Sequence, residues 1–297
     1  MRCKCVCPLT DAMIVSTKEK SPKRFSWWVF LLLVILLSWP FQIWFVVKAT
    51  TTFDKYLFSS VAMVMVTVAT WIAGKVLFRD GFTSAGWSWG KPVYYFGVLA
   101  FTLLVWLVPS LIEQVFGLYE PVARISVSAI LLNFSIRFIA TLLPGFGEEF
   151  GWRGYLLPHL STRFGARSGL IFHAFIWWFW HLPVLVGIGM KTSILGDTSY
   201  INVMGILIIS IIPTMLHAVV FAFIWAKTKS IVVVSVYHAA FDEVRDALEA
   251  SVGFGSLVNN WQMIVIIITG GLLLWKANWD KLLEPNAQQH LLNSNAG

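Results

Sequence analysis

Three observations predict an all-α, polytopic membrane protein with about eight transmembrane helices and both termini cytoplasmic. The 297-residue chain is 58% hydrophobic and only 12% charged, roughly half the charged fraction of a soluble domain. Its apolar residues fall in runs near the ~20 residues that a helix needs to cross a bilayer. Between the runs stand short loops, which hold ten of the 22 Lys and Arg. The length suits one membrane-embedded domain, residues 27–276, with a motif-bearing core at about 126–250. A basic tail, 1–26, and a second tail, 277–297, flank it.

The first run, Trp27–Val47, is expected to bend at Pro40. The basic stretch from Lys18 to Arg24 ahead of it resembles a signal peptide. The run is too long, however, and no small-residue cleavage site follows, so it reads as a retained span. Spans two and three cover Tyr56–Phe78 and Val93–Ile112, and a loop with Glu120-Pro121 follows. The fourth, Ser126–Pro158, is longer than one straight crossing. Pro144-Gly145 should interrupt it, because proline removes a helix hydrogen bond and crowds the preceding turn. Ser168–Gly189, Ile201–Ala226, Ser230–Ala250 and the short Trp261–Trp275 complete the set. Pro183 should bend span five close to His181. No internal repeat is visible, which weakens an inverted-repeat transporter reading.

The net charge of +7 does not imply nucleic acid, because the basic residues are scattered through loops rather than gathered in a patch. With the amino terminus inside, fifteen of the 22 Lys and Arg fall on cytoplasmic segments, four (Lys48, Lys55, Arg124, Lys191) outside and three within spans. That asymmetry predicts cytoplasmic termini and an even number of spans. Cys3, Cys5 and Cys7 all lie in the amino-terminal tail, so no disulfide staples the fold. Acylation or metal binding at the three cysteines is weighed against an idle tail, and the idle tail is favoured.

Charges inside an apolar bundle need a reason. At ~1.5 Å per residue, Glu148 and Glu149 lie roughly 15 Å from the cytoplasmic end of their span, His181 ~20 Å, His238 ~12 Å and Asp242 ~18 Å. Five polar groups on three spans thus fall in one layer, which points to one site. Glu149 and Arg153 are four apart and share a helix face, so they are expected to pair. Glu148 is turned about 100° away and is the carboxylate left for chemistry. His238 and Asp242 also share a face.

A buried Glu and a His aimed at one water can activate it for hydrolysis. Glu148, His181 and His238 could instead hold a single divalent metal such as Zn²⁺ with an open position for water. Neither HExxH nor its inversion is present, so the cofactor is left open. Packing of paired structural residues is the plain alternative for any one of these groups. Arg137 is expected to pair with Asp246 or Glu249 in the outer half of the membrane, with Arg245 beside them. His173 reads as core, and His217 has no companion visible in the sequence. The run Trp177-Trp178-Phe179-Trp180 either lines a groove or packs the bundle.

These residues resemble a known family. Glu148-Glu149-Phe150-Gly151-Trp152-Arg153 is similar to the EExxxR motif of the CAAX-processing and bacteriocin-processing (CPBP, or Abi) intramembrane proteases. His181, followed by Leu182-Pro183, resembles the histidine of the second motif, FxxxH, with Trp177 in the place of Phe. His238-Ala239-Ala240-Phe241-Asp242 resembles the third, with Asp242 where the family often has Asn. An ionised Asp cannot donate to an oxyanion as an amide can.

The resemblance implies hydrolysis of a peptide bond in a membrane-associated substrate, lipidated or hydrophobic, near the cytoplasmic face. Glu148 would activate water with His181 as partner. Glu149 and Arg153 would support the site, and His238 with Asp242 would steady the water or transition state. It also implies an integral membrane location: the cell membrane in a prokaryote, the endoplasmic reticulum in a eukaryote. Other classes stay open at this point. They are a proton-coupled transporter and, since some relatives act as scaffolds, a non-catalytic scaffold or immunity protein. The sequence does not give the oligomeric state.

Overall fold

A chain that gives up water must satisfy its backbone internally, and helices do this within one segment. The computed structural model describes residues 24–118, 120, 127–192, 199–253 and 258–284, and among these no strand occurs. Helix α1 is Trp27–Lys48 and α2 is Thr52–Trp71. Thr51 caps α2 in a reciprocal box with Asp54. The helix then widens into a π-helical turn, Ile72–Leu77, and a short 3₁₀ turn, Thr83–Ala85, precedes α3, Pro92–Val115. Helix α4, Val127–Glu149, passes through a second π-helical segment, Phe150–Leu156, into α5, Leu157–Phe164. Next come α6 (Ala166–Trp180), α7 (Leu182–Lys191), α8 (Ser199–Thr228) and α9 (Ile231–Val252). Helix α10 (Val258–Lys276) and the short α11 (Trp279–Leu282) complete the order.

In all eight apolar runs the described residues are mainly helical. Five helical stretches are long and apolar enough to cross a membrane, and a sixth arises if α6 and α7 count as one span. The remaining two runs differ for physical reasons. Helix α9 carries Asp242, Glu243, Arg245, Asp246 and Glu249, too many charges for a lipid-facing segment. The apolar part of α10 is short, Asn260–Lys276. The protein is an integral, multi-pass membrane protein. The cysteines lie outside the described residues.

The expected interruption at Pro144-Gly145 does not occur. Pro144 sits inside a continuous α4, and α4, the π-helical segment and α5 run together for 38 residues, Val127–Phe164. The irregularity falls six residues later, at Phe150. The neighbouring turns close around the missing N–H, as transmembrane helices allow. Span five does bend: α6 and α7 meet at 51°.

Helix α9 forms the axis of the bundle, with α3, α4 and α8 packed around it. Its Ile231, Val233, Val234, Tyr237, Ala239 and Ala240 are fully buried. On α4, by contrast, Leu131, Leu132, Ile136, Ile139 and Leu143 are exposed along the flank that faces lipid. Where α4 meets α2 the two approach closely. A Cβ at Gly147 would stand 2.3 Å from Thr67 Oγ1, and one at Gly151 2.5 Å from Val66 Cγ1. Small residues permit such contact between membrane helices, and here they seat the two intervening glutamates deep in the bundle.

A similar contact closes the α5–α6 hairpin. A Cβ at Gly169 would lie 2.6 Å from the Leu160 carbonyl oxygen, a backbone atom that cannot swing aside. Gly169→Val is therefore expected to cost about 1–3 kcal/mol or more, read as a lower thermal unfolding midpoint in detergent. An unchanged midpoint would refute the contact.

Candidate active site

The π-helical segment begins where the two glutamates end, a kind of distortion frequent at functional sites. Glu149 and Arg153 still meet across it: Arg153 Nη1 donates to Glu149 Oε1 at 2.9 Å, and both side chains are fully buried. The guanidinium also lies over the rings of Trp177, at 4.6 Å, and Phe221, at 4.3 Å. Glu148 points elsewhere and accepts a hydrogen bond from Trp177 Nε1 at 2.8 Å. The split read from helical spacing is present, and Glu149 has a second task. His238 Nδ1 lies 2.8 Å from its Oε1, so Glu149 joins α4 to α9 as well as holding Arg153.

His181 stands at the bend between α6 and α7. Pro183, in the first turn of α7, has no N–H to continue the helix, and the His181 N–H closes a tighter turn on the Trp178 carbonyl at 3.0 Å. The imidazole then folds back, with Nδ1 2.7 Å from the Trp177 carbonyl oxygen. A carbonyl only accepts, so Nδ1 carries a proton and donates it, and Nε2 is the ring's remaining edge.

His238 presents its Nε2 between two carboxylates, 3.9 Å from Glu148 Oε2 and 3.5 Å from Asp242 Oδ2. The first gap is too wide for a direct hydrogen bond, whereas a water making two bonds of about 2.8 Å would bridge it. Asp242 in turn lies 3.5 Å from Arg245 Nη1.

Glu148, His181, His238 and Asp242 line one cavity of about 460 Å³, together with Trp177, His217, Arg245 and Gln262. Glu149 and Arg153 are not on its wall. A second cavity, about 410 Å³, shares Trp177, His181, Val184, His217 and Gln262 with the first. Its further walls include Leu185, Ile188, Ile206, Ile209 and Pro213, so it is largely apolar. Polar and apolar chambers thus meet at His181.

Several residues take places that the linear reading did not assign. No ion pair joins Arg137 to Asp246 or Glu249 among the described residues. Asp246 instead accepts from its neighbour, Arg245 Nε, at 2.7 Å, and Arg245 reaches the cavity beside Asp242. His217 has a companion after all, Tyr237, whose hydroxyl lies 2.9 Å from His217 Nε2. Tyr237 is on α9, twenty positions further on, beyond the reach of any spacing rule. His173 is fully buried in the core. Trp177 lines the cavity wall, and its indole N–H, which a Phe at that motif position lacks, gives Glu148 a donor.

The donors for a metal ion are arranged differently from the set Glu148, His181 and His238. Among the described residues, the ligand atoms that all lie within 4.8 Å of one another belong to Glu148, Glu149 and His238. Glu149 Oε1 already serves Arg153 and His238, and Glu149 does not reach the cavity. Glu148 and His238 Nε2 stand together at the cavity wall, and His181 lies outside that close group, whereas a catalytic zinc site takes three protein ligands. Glu149 Oε2 is buried without a hydrogen-bond partner, so Glu148, Glu149 and His238 are the residues that would hold such an ion, and no step below is routed through one.

Residues 130–244 match the family model described as type II CAAX prenyl endopeptidase Rce1-like. The matched stretch opens in α4, ends in α9 and contains all six candidate residues. It bears out the resemblance to the CAAX protease family that the three motifs carry. No curated protein matches the chain.

Arg153 sits fully buried against Glu149, and removing one partner of a buried pair leaves the other charge uncompensated, at about 3–5 kcal/mol. Arg153→Met should therefore lower the unfolding midpoint far more than Glu148→Gln does. Equal midpoints for the two variants would show that Glu149 does not depend on Arg153.

Proposed function

We propose that this protein is an intramembrane endopeptidase that hydrolyses a peptide bond in a membrane-associated substrate by means of water activated at Glu148. The observation that carries the reading is the 3.9 Å gap between Glu148 Oε2 and His238 Nε2 on the wall of a polar cavity inside an apolar bundle. A water in that gap gives its proton to Glu148 as its oxygen attacks the scissile carbonyl. Trp177 Nε1 occupies Oε1 of the carboxylate, which leaves Oε2 to receive the proton. Charge then develops on the substrate oxygen, and His238 meets it with Nε2. Carboxylate oxygens face both ring nitrogens of His238, so the ring is set to donate from that edge. Glu148 returns its proton to the departing amine as the carbon–nitrogen bond breaks, and the products are a carboxylic acid, which keeps the second water proton, and an amine.

Other groups hold this geometry. Glu149 and Arg153 act from behind the wall, fixing the His238 ring through Nδ1. His181 offers Nε2 at the junction of the two cavities, where it partners the water or the leaving group. Asp242, facing Arg245, acts as an acceptor that orients His238 rather than as an oxyanion donor. The apolar second cavity supports a substrate with a greasy portion beside its scissile bond, in keeping with a lipidated, CAAX-like peptide. The Lys and Arg distribution supports a site reached from the cytosol.

Purified protein in proteoliposomes should cleave a prenylated CAAX-type peptide. Glu148→Gln should lower kcat by about 10²–10⁴, the usual contribution of a positioned general base, without loss of fold, and His181→Ala should also be impaired. Full activity in folded Glu148→Gln would end the assignment. Substrate flux that depends on Glu148 without any proteolysis would favour a transporter instead.

The pairing of Asp242 with Arg245 gives a separate test. Arg245→Met should cost about ten-fold in kcat/KM when Asp242 is present and little in an Asp242→Asn background, a coupling on the order of 1 kcal/mol. Additive losses would remove Arg245 from the site.

A further inference from the structure

A cleft where α3, α8 and α10 meet shares no residue with either cavity described above. We propose that it binds one anionic phospholipid, with part of an acyl chain between the helices and the phosphate at Lys227.

The cleft holds about 290 Å³, at the small end of ligand pockets, which suits a length of hydrocarbon chain rather than a folded partner. Val93 and Phe101 on α3, Val220 and Phe223 on α8, and Leu273 on α10 make its walls apolar. A polar solute would find almost no partners there. Gly97 recesses the α3 side: a Cβ built on it would meet nothing within 4 Å. Helix α3 begins at this cleft, whereas α8 and α10 end near it, so the opening lies at the level of the helix ends. That is the depth at which lipid phosphates sit.

The charge at the opening selects the head group. Lys227 lines the cleft, no acidic residue does, and Lys227 makes no ion pair among the described residues. Its basic neighbours are engaged: Lys229 Nζ donates to the Leu282 carbonyl, and the Lys276 ammonium lies over the Trp275 ring at 3.7 Å. The Thr228 hydroxyl donates to the Ile224 carbonyl at 2.7 Å. Among the described residues that line the cleft, Lys227 is the cation that can meet an anion. Zwitterionic lipids offer the same chains without net charge, so the head group separates the two classes.

The test uses the full-length protein in detergent, incubated with equal phosphatidylglycerol and phosphatidylcholine, with retained lipid counted by native mass spectrometry. Phosphatidylglycerol should be retained preferentially. Lys227→Ala should reduce its retention about five-fold, the effect of one lysine near an anionic lipid surface, and Lys227→Arg should preserve it. Gly97→Leu, on an exposed helical position with room for a side chain, should lower retention by filling the cleft. Equal retention of the two lipids would overturn the proposal, as would wild-type retention of phosphatidylglycerol in either Lys227→Ala or Gly97→Leu.

Discussion

The fully buried ion pair between Glu149 and Arg153 is the constraint around which the rest of the structure is arranged. A carboxylate and a guanidinium in a bilayer-embedded bundle are tolerable only when each is neutralised and held. Arg153 is held by the 2.9 Å contact to Glu149 and by the rings of Trp177 and Phe221. Those rings come from α6 and α8, and Glu149 reaches on to His238 of α9. One compensated charge pair therefore ties four separate segments of the chain together, and it does so directly behind the cavity.

The consequence is a division of labour between adjacent glutamates. Glu149 spends its interactions on structure, which leaves Glu148 with a single hydrogen-bond donor, Trp177, and an oxygen turned toward His238. The fold also has to bring α2 against this segment without displacing it. Gly147 and Gly151 make that approach possible, since side chains there would collide with Thr67 and Val66. The motif's glycines and its charges are parts of one solution: the glycines let the helices close, and closure excludes the water that would otherwise screen the pair.

Much of this was readable along the chain. The i,i+4 rule placed Glu149 with Arg153 and His238 with Asp242, and Pro183 marked the bend beside His181. Where the reading failed, the missing information was non-local. Pro144 looked like a break because its local effect on hydrogen bonding is unfavourable, yet α4 continues through it and the helix widens at Phe150 instead. Arg137 was paired with Asp246 or Glu249 on depth alone, but Asp246 is taken by Arg245, its neighbour on the same helix. His217 was left without a partner because Tyr237 approaches from another helix.

What the sequence determined by itself is what hydrophobicity and helical period encode: an all-helical membrane protein, the apolar runs, and the charged residues that such a setting must justify. Which face of each helix meets which neighbour is not encoded that way. It follows from packing many side chains at once, and a carboxylate's role depends on which groups arrive beside it. Tertiary structure alone decided that Glu149 would anchor His238, and that Arg245 would stand at the cavity wall. It also decided that the polar cavity would share His181 with an apolar one. The opposed fates of Glu148 and Glu149 show the difference. Their 100° separation was fixed by the helix, but only the arrival of α6 and α9 gave each direction its meaning.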